Sequence, residues 1–192
     1  LAGDEEVRDE VPVNALLVAT APGTDTLMAA RQLVADGFTA IKLKLGGDNA
    51  GSPAGWWTEV IAGLRETVGP EVALRVDLNG SLSPEAALAW LPSLADLGLE
   101  YVEQPLPAGD PGGPELRRRS PISIYVDEDC HTAADVAACA EVAHGVNLKL
   151  SKSGGIREAV RIAHVARGLG LGVMLGCMVE SGLGIAAGCV VA

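Results

Sequence analysis

The sequence predicts an α/β fold, a (β/α)8 TIM-type barrel that is truncated to about seven strands. Two observations predict it. Short apolar runs alternate with helix-length amphipathic segments along the 192 residues, the pattern of right-handed βαβ units on a parallel sheet. Five successive runs also end in a charged residue: Lys44, Asp77, Glu103, Asp127 and Lys149. In such barrels the chemistry collects at the C-terminal ends of the strands.

Strands are expected at residues 13–20, 40–45, 73–77, 101–103, 122–127, 146–150 and 173–177. Helices are expected between them, near 25–36, 56–68, 84–97, 113–119, 133–142 and 156–169. The third helix opens on Ser83-Pro84-Glu85, an N-cap followed by proline at the first helical position. Pro105 to Pro114 reads as a Pro/Gly-rich loop, and no composition shift splits the chain. Residues 1–10, with the run Gly3-Asp4-Glu5-Glu6, read as a solvated linker from a missing N-terminal domain. Residues 11–192 read as the barrel domain.

Side chains alternate along a strand, so residues two apart share a face. Leu43, Val76, Val102, Val126 and Leu148 fall on one face and suit packing under helices. Lys44, Asp77, Glu103, Asp127 and Lys149 fall on the other, above Lys42, Arg75, Tyr101, Tyr125 and Asn147. A strand covered on both faces is normally apolar on both. One such charge is ordinarily a satisfied ion pair. Five in a row point to a site, because unpaired buried charges cost several kcal/mol each.

Counting strands supplies the geometry. Lys44 ends the second strand and Lys149 the sixth, which stand opposite each other in a ring of eight. Asp77, Glu103 and Asp127 form an acidic wall between them. Crowded carboxylates need a cation, and oxygen-only ligands select a hard one, Mg²⁺ first and Mn²⁺ second. A substrate carboxylate on that ion places its α-carbon between two lysines. The ion stabilises the charge that develops when the α-proton leaves. Lysine, with an ordinary pKa of about 10.4, must be tuned downward to act as base; the cation and Lys42 are the groups expected to do so. A base on each face allows inversion of the stereocentre, whereas a lyase needs one.

These residues resemble the enolase superfamily, whose lysine-plus-Mg²⁺ strategy is a standard example of base tuning. The likeness runs from about Val11 to Ala192. Lys42-Leu43-Lys44 resembles the Lys-x-Lys motif whose second lysine is a catalytic base. Arg75-Val76-Asp77-Leu78-Asn79-Gly80, Glu103-Gln104-Pro105-Leu106-Pro107 and Asp127-Glu128 resemble the three metal-ligand strands. Lys149, followed by Leu150-Ser151-Lys152-Ser153-Gly154-Gly155-Ile156, resembles the opposite lysine. Within the muconate-lactonizing-type subgroup, the segments 145–150, 176–181 and 183–187 are most similar to dipeptide epimerases of the L-Ala-D/L-Glu type. The resemblance implies epimerisation of a dipeptide by two-lysine 1,1-proton transfer through an enediolate. N-acylamino acid racemase and o-succinylbenzoate synthase share the layout and are the alternatives. Lys42, Met178 and Glu180 are the candidate substrate contacts. The sequence also departs from the family. Asp129 stands where serine is usual, adding charge beside the third ligand, and Leu78 replaces a common small residue. The eighth-strand Asp-x-Asp motif that binds the dipeptide ammonium and the capping domain are expected to be missing.

Composition limits the other classes. With 48% hydrophobic but 3% aromatic residues, the core must be aliphatic. A net charge of -11 argues against nucleic acid or anionic membrane partners, leaving a small-molecule substrate, a dipeptide or N-acylamino acid, and a homo-oligomer open. No membrane span or signal peptide is read. Cys130, Cys139, Cys177 and Cys189 have neither disulfide nor zinc spacing, which suits reduced thiols in a cytoplasmic protein. Gly46-Gly47 and Gly154-Gly155 lack the surroundings of a phosphate loop. A doubly wound nucleotide-binding domain therefore leaves the one-sided polarity unexplained. A catalytically inactive barrel fragment is a further alternative. Lys152 reads as a solvated loop lysine, Glu128 as partner to a lysine, and Trp56 and Trp57 as local helix packing.

Overall fold

The structure is a computed structural model and describes residues 10–19, 24–45 and 54–192. Leu1–Asp9 of the expected linker, Thr20 and Gly46-Gly47 lie outside the described residues. Seven strands form one sheet in sequential order: β1 (Ala15–Val18), β2 (Ala40–Lys44), β3 (Ala73–Asp77), β4 (Leu99–Glu103), β5 (Ile124–Val126), β6 (Gly145–Lys149) and β7 (Gly172–Gly176). Every neighbouring pair is parallel. The helices are α1 (Thr24–Ala35), α2 (Ala54–Val68), α3 (Pro84–Trp90), α4 (Gly113–Arg119), α5 (Val136–Val142), α6 (Ile156–Gly168) and α7 (Gly182–Val191). This is the TIM-barrel-like α/β fold that the alternation predicts.

The sheet is curled. Neighbouring strands lie about 4.8 Å apart, yet Lys42 of β2 reaches Glu103 of β4, and Tyr101 of β4 hydrogen-bonds Met174 of β7. Three strand spacings in a flat sheet would put that second pair out of reach. Leu43, Val76, Val102, Val126 and Leu148 face the helices and are buried, joining two aliphatic clusters under the outer layer. Trp57 is buried in α2 and packs on Trp90, ring centroids 5.2 Å apart, as local packing predicts.

Register places the functional layer. Lys44 pairs with Asp77, and Asp77 with Glu103. Glu103 then pairs with Tyr125, two residues short of Asp127. Tyr125 pairs with Gly145, so Asp127 lies level with Asn147, two short of Lys149. The strands therefore slip by two residues twice, four in all between β2 and β6, half the shear of eight that closes such a barrel. Charged ends that are out of step in the hydrogen-bond ladder thereby stay level around the ring.

Local chemistry adjusts several boundaries. α3 gives way at Leu91 to a 3₁₀ segment, Leu91–Leu97, because Pro92 has no N–H to continue the α-helical ladder. Gly98, at φ 64°, ends it. α5 begins at Val136 rather than 133, since Asp135 Oδ2 accepts the N–H groups of His131 and Thr132 and holds a turn there. β5 is shorter than predicted: Ser120 Oγ bonds Ile122 in a turn, and Asp127 lies just past the strand. α7 was not predicted. Its sequence GLGIAAGCVV has no polar face, and none of its residues is buried.

Candidate active site

The inner face is built in layers. The lower one is a plug. Tyr101 and Tyr125 stack with centroids 4.2 Å apart, and the Arg75 guanidinium lies 5.3 Å from the Tyr101 ring centre. Tyr125 fills the space that a Cβ at Gly145 or Gly172 would need, which is why both strands begin with glycine. Burial, with Glu103 nearby, raises the Tyr101 phenol far above its ordinary range. The two phenols stay protonated, and the charge in this layer is that of Arg75, paired with Glu100.

Above it, charges pair across the ring. Lys42 Nζ lies 2.6 Å from Glu103 Oε2 and 3.3 Å from Asp77 Oδ2. Asn147 Nδ2 donates to Glu103 Oε1 at 2.8 Å. Glu103 is fully buried. Burial lifts its pKa above the carboxylate range; Lys42 and Asn147 oppose the shift, and the charge of Asp77 adds to it. Asp127 pairs through Oδ2 with Lys149 and through Oδ1 with Lys152 at 2.7 Å. Burial pushes its carboxyl upward, but the two ammonium groups outweigh it and hold the pKa low.

The two candidate bases differ. Lys44 is half-buried and forms no ion pair among the described residues. Lys149 is bound to Asp127. Burial lowers its pKa, yet Asp127, with Glu103 and Glu128 beyond, raises it overall. With Asp127 on its ammonium, Lys149 holds its proton more tightly. Lys42, expected to touch substrate, is buried between two acids.

Further corrections concern the loops. Lys152 is not solvated: its side chain is 6% exposed. Glu128 takes the Asn79 amide at 3.3 Å instead of a lysine. Asp129 is engaged by the loop: it accepts from Gln104 Nε2 and from Gly109 N–H, each at 2.7 Å. Glu180 Oε1 accepts from Ser151 Oγ and Met178 N–H, each at 3.1 Å, tying the loop after β7 to the end of β6. Met178 itself is half exposed. All four cysteines are free.

The sequence reading missed Gln104. It is buried, with φ 39°. Its Oε1 accepts from Asp127 N–H at 2.8 Å and Glu128 N–H at 3.0 Å, and its Nε2 donates to Leu106 O and Asp129. A glutamine directly after a ligand-bearing strand was the available signal. A cavity of about 260 Å³ lined by Leu106, Pro111, Leu116, Cys139 and Val142 lies under α4 and α5. It meets the site only through Gln104 and Asp129.

The acids suit a hard cation in kind. They are oxygen donors on consecutive strands, all buried, and ammonium groups stand against them where a cation would be attracted. Lys42 serves Asp77 and Glu103, while Lys149 serves Asp127. Among the described residues no three such side chains yet converge into a closed cage, because the first pair leans on β2 and Asp127 on β6.

A family profile described as enolase C-terminal domain-like matches residues 25–192. The chain belongs to that family. A hydrophobic dipeptide epimerase of Roseobacter litoralis is 42% identical over 160 residues, 81% of this chain and 45% of its own. An L-Ala-D/L-amino acid epimerase of Pedosphaera parvula is 42% identical over 163 residues, 81% and 44%. An o-succinylbenzoate synthase of Thermobifida fusca is 37% identical over 184 residues, 95% and 55%. The chain thus spans about half the length of the curated relatives it matches. Among solved structures, an L-Ala-D/L-Glu epimerase superposes with a TM-score of 0.83 at 31% identity, over 97% of this chain and 56% of the other. A dipeptide epimerase of Enterococcus faecalis complexed with Mg and L-Leu-L-Tyr gives 0.85 at 28% identity, over 93% and 50%. No helix among the described residues is long and apolar enough to cross a membrane.

Proposed function

We propose that residues 11–192 are the barrel of an isomerase that epimerises a dipeptide at the α-carbon of its C-terminal residue. The observation that carries the reading is the pair of lysines at the ends of β2 and β6, with three buried carboxylates at or just past the ends of the strands between. The dipeptide class is supported by the names of the relatives at 42% identity.

Asp77, Glu103 and Asp127 would hold the cation, Mg²⁺ first and Mn²⁺ second. Bound there, it supplies electrostatic stabilisation of a substrate carboxylate as charge develops beside it. The protein's part is proton handling. Lys44 and Lys149 face the α-carbon from opposite sides; one takes the α-proton, and the other delivers a proton to the opposite face. Lys149 must leave Asp127 to do so. Lys42 offsets part of the negative charge of Asp77 and Glu103, and a cation would offset the rest.

The test is ¹H NMR in D₂O with acidic and hydrophobic dipeptides. The assay uses a complete homologous chain carrying the same two lysines, which should exchange the α-proton and epimerise. Positioned acid–base groups contribute ~10²–10⁴-fold, so Lys44→Ala and Lys149→Ala should each nearly abolish epimerisation. The two variants should retain exchange for opposite stereoisomers. If both lose exchange equally for both isomers, or epimerise normally, the two-base assignment fails. The o-succinylbenzoate synthase at 37% identity supports a second reading, a lyase reaction with one lysine as base. Turnover that needs only one of the lysines would favour it.

A further inference from the structure

We infer that Lys152 is a positioning residue of this site, fixing Asp127 so that one carboxylate oxygen remains able to change partner. The inference rests on the reading of Asp77, Glu103 and Asp127 as cation ligands.

Lys152 Nζ donates to Asp127 O at 2.5 Å, Asp127 Oδ1 at 2.7 Å and Asn147 O at 2.8 Å. An ammonium has three protons, and all three are engaged within the protein. None is left for a substrate, which separates Lys152 from the proton-transferring lysines. The turn after β6 directs it inward: Ser153 N–H bonds Lys149 O and Gly155 N–H bonds Leu150 O, with Gly154 and Gly155 at φ 78° and 114°. The two lysines of Lys149-x-x-Lys152 thereby grip different oxygens of one carboxylate.

The anchor point has a second connection. Asn147, whose carbonyl receives Lys152, also donates its amide to Glu103 Oε1. Lys152 and Asn147 thus join the third acid to the second. Gln104 takes the Asp127 N–H. Backbone N–H, backbone carbonyl and Oδ1 of Asp127 are all held by the protein. Oδ2, shared only with Lys149, is the atom left to exchange.

Charge alone predicts the opposite of positioning. Deleting a neighbouring positive charge should tighten binding of a divalent cation, whereas losing a holder of its ligand should weaken it. Calorimetry with Mg²⁺ as the only added ligand separates the two, with near-UV circular dichroism checking the fold. Groups that orient metal ligands typically contribute 10–100-fold to affinity. Lys152→Met should therefore weaken Mg²⁺ binding at least tenfold, and Lys152→Arg should recover part of the loss. Affinity equal to or tighter than that of the unaltered chain in Lys152→Met overturns the inference. Should Lys152→Met not fold, Lys152→Gln, which keeps two N–H donors without the charge, decides by the same sign. Asp127→Asn is measured alongside. If it too leaves Mg²⁺ affinity unchanged the inference falls, and if Asp77→Asn and Glu103→Gln also do so the reading of the acids falls with it. A loss in Asp127→Asn without one in the Lys152 variants overturns the positioning role alone.

Discussion

Gln104 Oε1 accepts the backbone N–H of Asp127 at 2.8 Å, from a residue whose own backbone is held at φ 39°. Non-glycine residues in that left-handed region are strained by roughly 1–3 kcal/mol and persist where the surroundings over-determine them. Here the main-chain bonds Gln104 N–H to Tyr125 O and Gly80 N–H to Gln104 O, at 2.8 and 2.7 Å, do so.

Two substitutions separate strain from bonding. Gln104→Ala and Gln104→Gly both delete the side chain and leave the N–H groups of Asp127 and Glu128 without it, a loss of about 1–3 kcal/mol for the buried Asp127 N–H. Glycine alone relieves the left-handed strain. Urea unfolding should show both variants destabilised, with Gln104→Gly more stable than Gln104→Ala by about 1 kcal/mol. Equal stability would mean the positive φ carries no cost.

Much of this site is legible in the sequence, for a physical reason. Period-two alternation separates Leu43, Val76, Val102, Val126 and Leu148 from the charged residues beside them, and the burial of that first set follows. What stays hidden depends on contacts between loops. Lys152 lies three residues beyond Lys149 in a turn, where no periodicity says which way a side chain points. Its burial comes from the carbonyls of Asp127, just past β5, and Asn147 of β6. The partners of Asp129 stay hidden for the same reason: its oxygens serve Gly109 and Gln104, and their approach is set by the loop after β4. α7 was missed because its Gly-rich apolar stretch carries no face to read.

The tyrosine plug predicts a coupled pair. A Cβ at Gly145 would collide with the Tyr125 ring, and forced overpacking costs about 1–3 kcal/mol. Gly145→Ala should destabilise by that amount in urea. In the Tyr125→Leu background, which clears the ring, the same change should cost much less, giving a coupling of about 1 kcal/mol or more. Additive effects would show that the ring is not what excludes the methyl group.

Asp129 offers a local test. Its carboxylate fastens the loop after β4 to the end of β5 through Gly109 N–H and Gln104 Nε2. Serine is too short to keep both. Asp129→Ser should cost about 1–2 kcal/mol and speed hydrogen exchange at the Gly109 amide, leaving amides of β2 and β3 protected. Unchanged exchange at Gly109 would show that the carboxylate does not hold the loop.

His144 gives a pH dependence whose sign is fixed. Its Nδ1 accepts the Ile124 N–H at 3.0 Å, so the folded chain uses the unprotonated form of that nitrogen. Burial lowers its pKa, and the Arg117 charge lowers it further. The unfolded chain, with an ordinary value of about 6.5, therefore binds the proton more readily than the folded one. Stability rises with pH wherever the unfolded state holds more protons. The contribution is full above about 6.5 and is lost as pH falls through the lowered folded value. Glu103 shifts the other way: its raised pKa means its stability contribution is lost as pH rises above the ordinary carboxylate range. The whole-chain profile thus mixes the two, and a variant comparison isolates the histidine. His144→Asn supplies an amide oxygen as acceptor for Ile124 N–H and cannot titrate. Between pH 7.5 and 5, the urea midpoint of the unaltered chain should fall relative to that of His144→Asn. Parallel profiles would show that His144 is protonated equally well in both states.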